Sequence, residues 1–203
     1  MFQQSSYSEQ LTFFQKLKSF DFVLIICVLT LGLVSNLSMF STDGGEFLYH
    51  TKSHLIRFVV FFILMVFLSF FNLRFWHSTA YLFYIIVLGF LIWASLYGIT
   101  ASGSQRWINL YFINLQPSEL MKIAIIVCFA RFFHREQITN VSSLKNIIIS
   151  LTILVMPIVL VVSQPDLGTS ILIAASGLIV LWLAGLNVRY FVYSGLTLLV
   201  SFP

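Results

Sequence analysis

Long apolar runs separated by short polar corners leave this chain few ways to fold. Six runs lie at about 20–40, 55–71, 80–99, 117–133, 146–163 and 169–186. Each approaches the roughly 20 apolar residues that an α-helix needs to cross a hydrocarbon layer about 30 Å thick. In that layer the backbone must satisfy its own hydrogen bonds, so an open run of this length reads as a helix. Composition agrees, with 59% hydrophobic and 9% charged residues, against about 25% charged in soluble domains. The expected fold is all-α, a polytopic membrane helix bundle with six complete transmembrane helices and a truncated seventh. The seventh apolar run, Tyr190–Pro203, offers 14 residues, or roughly 21 Å of helix at 1.5 Å per residue. The expectation is that the chain stops inside the membrane and is the amino-terminal part of something longer.

Residues 1–19 are polar and mixed and lack a small-residue cleavage site. They read as a cytoplasmic amino-terminal segment leading into an uncleaved anchor, with one transmembrane bundle over 20–203. Lys and Arg placement sets orientation. With the amino terminus inside, Lys16, Lys18, Arg74, Arg131, Arg135, Lys145 and Arg189 lie on the cytoplasmic side, seven of the eleven basic residues. Lys52, Arg57, Arg106 and Lys122 lie outside. The net charge of +4 therefore speaks to orientation and not to nucleic acid. Cys27 and Cys128 fall inside apolar runs and read as small apolar residues. The four histidines sit in polar connections with no metal-ligand spacing. There is no Walker loop, dinucleotide glycine pattern, zinc spacing or hydrolase elbow.

Two polar stretches interrupt the oil, and the orientation puts both outside. In Ser104–Lys122, Pro117 suits the first turn of a helix. Glu119 favours the positive end of that helix, and Lys122, three residues on, can pair with it. The pair reads either as a packing tie between helices or as the polar wall of a site for an anionic or sugar-bearing ligand. Arg106 and Trp107 read either as an interfacial anchor or, for Arg106, as a phosphate clamp. In Gln164–Ser170, Asp166 either caps the following helix or is a carboxylate aimed at a cavity shared with Glu119 and Lys122. Pro157 is expected to kink the fifth span.

Four segments then carry a resemblance: Gly103-Ser104-Gln105-Arg106-Trp107-Ile108, Gln116-Pro117-Ser118-Glu119-Leu120-Met121-Lys122-Ile123, Ala130-Arg131-Phe132 and Gln164-Pro165-Asp166-Leu167-Gly168-Thr169-Ser170. In this order they resemble the SEDS family (shape, elongation, division and sporulation), and the last segment is similar to its rod-shape-determining branch. The likeness covers essentially the whole chain but only the amino-terminal half or so of the family's fold. It implies a peptidoglycan glycosyltransferase of the bacterial cytoplasmic membrane that polymerises lipid II for cell elongation, division or shape. The implied partners are lipid II and a class B penicillin-binding protein. The residues matching the family's outward-facing cavity and its adjoining loop are Arg106, Gln116, Ser118, Glu119, Lys122, Gln164, Asp166 and Thr169. Arg106 and Lys122 would contact the diphosphate, directly or through a divalent cation such as magnesium or manganese. Glu119 would orient Lys122, and Asp166 would shape the cavity or help hold the metal. The family's catalytic Asp would lie beyond Pro203, so no residue here takes that role. Tyr111 stands where many relatives carry Gly. Two other classes fit the same features: a transporter or flippase of a lipid-linked precursor, and a non-catalytic scaffold.

Overall fold

A computed structural model describes residues 20–101, 104–110, 114–134 and 141–191. Its contacts divide the chain into two compact units, Met1–Asn72 and Leu73–Pro203, where the sequence alone suggests one bundle. The segment 1–19, Gly103, Tyr111, Arg135 and most of the seventh apolar run lie outside the described residues.

The first unit is a helical hairpin of α1 (Phe22–Thr42) and α2 (Tyr49–Ser69). Asp21 caps α1, accepting from the amides of Val23 and Leu24. The chain turns at Gly44 and Gly45, both at positive φ, where a side chain would be strained. Helix α2 begins at Tyr49, six residues ahead of its apolar run, so His50 and His54 are helical and not in a connection. The reason is that its polar first turns are partnered. The Asp43 carboxylate accepts from the Thr51 amide at 2.8 Å and from its hydroxyl at 2.7 Å. The His54 ring lies 3.0 Å from the Ser35 hydroxyl and 3.2 Å from the Asn36 carbonyl oxygen. Between membrane helices such polar contacts act as glue. At Gly32 a Cβ would lie 2.2 Å from the Phe58 ring, so glycine is what allows that ring to seat.

The second unit contains α3 (Leu73–Tyr97), α4 (Pro117–Phe133), α5 (Leu144–Ser163) and α6 (Leu167–Leu183). Helix α3 likewise starts earlier than its apolar run, taking Arg74, Trp76 and His77 into its first turns. Helix α4 packs against α3, α5 and α6. Its buried residues Met121, Ala124, Ile125, Cys128 and Phe129 follow the i, i+3, i+4, i+7, i+8 spacing of one helix face. Across from them sit Leu91 of α3 and Ile173 of α6, both fully buried. Cys27, in α1, is exposed and Cys128 is buried; both are free thiols. Gly177 lets α6 approach, since a Cβ there would lie 2.4 Å from the Leu154 side chain and 3.2 Å from Phe129.

The helix between 144 and 163 runs through Pro157, which is fully buried. Four described helices, α1, α2, α3 and α5, are long and apolar enough to cross a membrane. Helices α4 and α6 have 17 residues each, the lower end of the spanning range of about 17–25. Helical backbone resumes at 188–191.

The link between α3 and α4 is not a plain loop. It carries three short strands, β1 (Ile99–Ala101), β2 (Ser104–Asn109) and β3 (Asn114–Leu115), in the order β1-β2-β3, antiparallel throughout. Backbone amides beside an apolar bundle need partners, and here neighbouring strands supply them. Gly98 makes the handover from α3 possible: a Cβ there would lie 2.3 Å from the Ala94 carbonyl oxygen and 3.1 Å from that of Trp107.

Candidate functional site

The site is assembled by β2, the residue before α4, and the start of α6. Arg106 lies in β2, and Trp107 pairs with Ile99 across the sheet. From that strand the Arg106 guanidinium reaches the Asp166 carboxylate at 3.0 Å. Arg106 is thus not simply an interfacial anchor. Its side chain is 25% exposed, that of Asp166 only 10%.

Asp166 is the N-cap of α6. One oxygen accepts from the Thr169 amide at 3.1 Å. The other accepts from the Thr169 hydroxyl at 2.8 Å, from Gln116 Nε2 at 3.3 Å and from Arg106. Capping and carboxylate-in-a-network, the two alternatives read from sequence, are therefore the same arrangement. Burial alone would raise the Asp166 pKa, but the Thr169 bonds and the Arg106 charge outweigh it and hold the carboxyl below its ordinary value.

Gln116 is also the N-cap residue of α4, yet its side chain makes no cap and turns to Asp166. That contact brings the starts of α4 and α6 together at one end of the bundle. Each helix end carries roughly half a positive charge, and two such ends beside a guanidinium form an environment suited to an anion. On α4, Lys122 Nζ donates to Glu119 Oε2 at 2.8 Å. Glu119 is about half exposed (55%) and Lys122 less so at 23%. The pair expected from spacing is formed, but it lies within one helix and does not tie α4 to a neighbour. Ser118 is buried with no partner for its hydroxyl. Gln164, also buried, donates from Nε2 to the Leu91 carbonyl at 3.2 Å, fixing the α5–α6 corner to α3.

Of the eight residues singled out in the sequence, the structure thus joins Arg106, Gln116, Asp166 and Thr169 in one hydrogen-bonded set. Glu119 and Lys122 form a second, Gln164 turns away to α3, and Ser118 stays unpaired. Among the described residues no group of three or more His, Cys, Asp or Glu side chains stands together. Asp166 is already neutralised by Arg106, and Glu119 by Lys122. Both carboxylates thus stand in the site as partners of the chain's own cations.

Sequence reasoning missed two supports. Tyr84 donates its hydroxyl to the Ile153 carbonyl at 2.8 Å, and a phenol inside an apolar run was the available signal. Arg131, counted from sequence only among the basic residues of the cytoplasmic side, donates from Nη1 to the His77 carbonyl at 2.8 Å and to that of Ser78, and its guanidinium sits 4.5 Å from the centre of the Tyr81 ring.

The family model for FtsW, RodA and SpoVE, described as cell cycle protein, matches residues 15–202. The chain belongs to that family. It is 36% identical over 178 residues to the peptidoglycan glycosyltransferase MrdB of Escherichia coli K12, covering 88% of this chain and 47% of that protein. It is 26% identical over 193 residues to a probable peptidoglycan glycosyltransferase FtsW of Buchnera aphidicola, covering 91% of this chain and 50% of that one. The chain thus spans about half the length of these relatives. The crystal structure of the Thermus thermophilus rod shape determining protein RodA superposes with a TM-score of 0.76 at 19% identity, over 90% of this chain and 59% of that one. A chain of a peptidoglycan synthase complex, studied for how it coordinates polymerization and crosslinking, superposes with a TM-score of 0.77 at 20% identity, over 90% of this chain and 53% of that one. These likenesses show the fold: a polytopic helical membrane protein.

Proposed function

We propose that this chain forms the amino-terminal, diphosphate-facing half of a peptidoglycan glycosyltransferase that polymerises lipid II. The observation that carries the reading is the Arg106–Asp166 ion pair, set where the amino-terminal ends of α4 and α6 meet. Membership of a family whose curated relatives include peptidoglycan glycosyltransferases supports it.

Polymerisation joins a sugar hydroxyl to an anomeric carbon and expels a lipid diphosphate. The hydroxyl needs a base and the departing diphosphate needs positive charge. Arg106 and Lys122 are the cations for the diphosphate. In the ground state each is held by a carboxylate, Asp166 and Glu119 respectively. Both positions are thereby kept pre-organised, and their donors are aligned before the leaving group develops charge. No described residue takes the role of the base. The amino terminus is inside the cell in this reading, so the site opens outward, and a penicillin-binding protein of class B supplies crosslinking.

The test uses a full-length family member reconstituted with lipid II. Alanine at the positions matching Glu119 and Lys122, and glutamine at that matching Arg106, are each expected to lower glycan polymerisation by about 100-fold or more, the scale of losing one group that stabilises developing charge. Unchanged polymerisation in all three variants would sink the reading. Movement of lipid II across vesicles without glycan product would point instead to the transporter class.

A further inference from the structure

At the opposite end of the second unit from the Arg106–Asp166 pair, a cleft of about 510 Å³ opens between the start of α3 and the end of α4. Its polar side is formed by Arg74, His77, Arg131 and His134, and its apolar side includes Trp76 and Ile126. Among the described residues none that lines it is acidic. We propose that this cleft binds the phosphate headgroup of an anionic phospholipid, with the acyl chains lying along its apolar wall.

Four observations support the assignment. The cleft combines cationic side chains at a helix end with apolar surface on the same wall, which is the pattern of an amphiphile bearing a negative head. Arg131 is already fixed, since its Nη1 donates to the carbonyls of His77 and Ser78 and its guanidinium stacks over Tyr81. A guanidinium carries five donors, and one held this way loses little freedom when an anion arrives. The His134 ring packs edge-on against His77 at 4.9 Å, and both imidazoles line the cleft. Arg74 and His134 are exposed and so are open to an incoming headgroup. With the amino terminus inside, the cleft faces the inner leaflet. A free phosphate shares the headgroup chemistry but has no use for the apolar wall.

The test is lipid retention by the purified 203-residue chain in nanodiscs, read by native mass spectrometry. Phosphatidylglycerol is expected to be retained about tenfold over phosphatidylcholine, the scale of one to two basic residues near an anionic surface. Arg74→Gln should remove most of that preference without changing helical circular dichroism. Lys145→Gln, which removes a charge outside the cleft, should preserve it. Equal loss in both variants would reduce the effect to general surface charge and overturn the proposal. So would an absent preference in the parent protein, or inorganic phosphate binding without retention of phosphatidylglycerol.

Discussion

Tyr84 of α3 donates its hydroxyl at 2.8 Å to the carbonyl of Ile153 in α5, and Ile153 lies four residues before Pro157. Proline has no amide hydrogen, so the carbonyl four residues earlier loses its helical partner. In an apolar bundle an unpaired carbonyl is costly. Tyr84 therefore supplies from a neighbouring helix the hydrogen bond that Pro157 removes, and α5 continues as one helix through the proline.

Tyr84→Phe should accordingly destabilise the protein by about 1 kcal/mol, the usual net value of such a bond. In a Pro157→Ala background the amide at 157 can serve the carbonyl, and the same Tyr84→Phe change should cost little. Reversible unfolding in SDS measures the four corners of this cycle. Equal costs in both backgrounds would show that the tyrosine and the proline are not coupled.

The two glycines of the α3 region should respond oppositely to alanine. At Gly98 the new Cβ meets the Ala94 carbonyl at 2.3 Å, with backbone on both sides and no flexible side chain to yield. A loss of about 1–3 kcal/mol is expected, as for other forced overpacking, with β2 displaced. At Gly89 a Cβ meets nothing within 4 Å, so alanine should gain up to about 1 kcal/mol from helix propensity. The same unfolding measurement compares them.

Acid should weaken the second unit through Asp166. Its folded pKa lies below the ordinary 3.8, so folding favours the ionised form. The stability it contributes is fully present above 3.8 and is lost as pH falls from there through the lowered folded value. Unfolding midpoints taken from pH 6 to pH 2.5 should show this decline. Asp166→Asn should lower stability at neutral pH and flatten the acid limb.

Asp43 acts similarly at the first unit. The Thr51 hydroxyl and amide hold its pKa below the ordinary value. Leu48, the N-cap residue of α2, offers no side-chain cap, and Asp43, eight residues ahead of Thr51, takes over that service. Asp43→Asn, compared with the parent at one pH, should speed hydrogen exchange at the Thr51 amide while leaving the middle of α2 protected. Unchanged exchange at Thr51 would show that the cap is supplied some other way.

The helical, membrane-spanning character of the chain was legible from the apolar runs alone, because hydrocarbon thickness sets a length and backbone hydrogen bonding sets a conformation. So were the helix start at Pro117, the Glu119–Lys122 pair and the capping role of Asp166, each a matter of residues three or fewer apart. The Gly103–Ile108, Gln116–Ile123, Ala130–Phe132 and Gln164–Ser170 segments also identified the family. What sequence could not decide was which face of each helix is buried. In a soluble helix polar residues mark the outer face, but here lipid is as apolar as the core, so Leu91 at full burial and Leu183 at 72% exposure look alike in the string. Tertiary structure alone chose those faces. It also brought Arg106 to Asp166 and Tyr84 to Ile153, because a charge or a hydroxyl in an apolar bundle takes whichever partner the packing brings within reach.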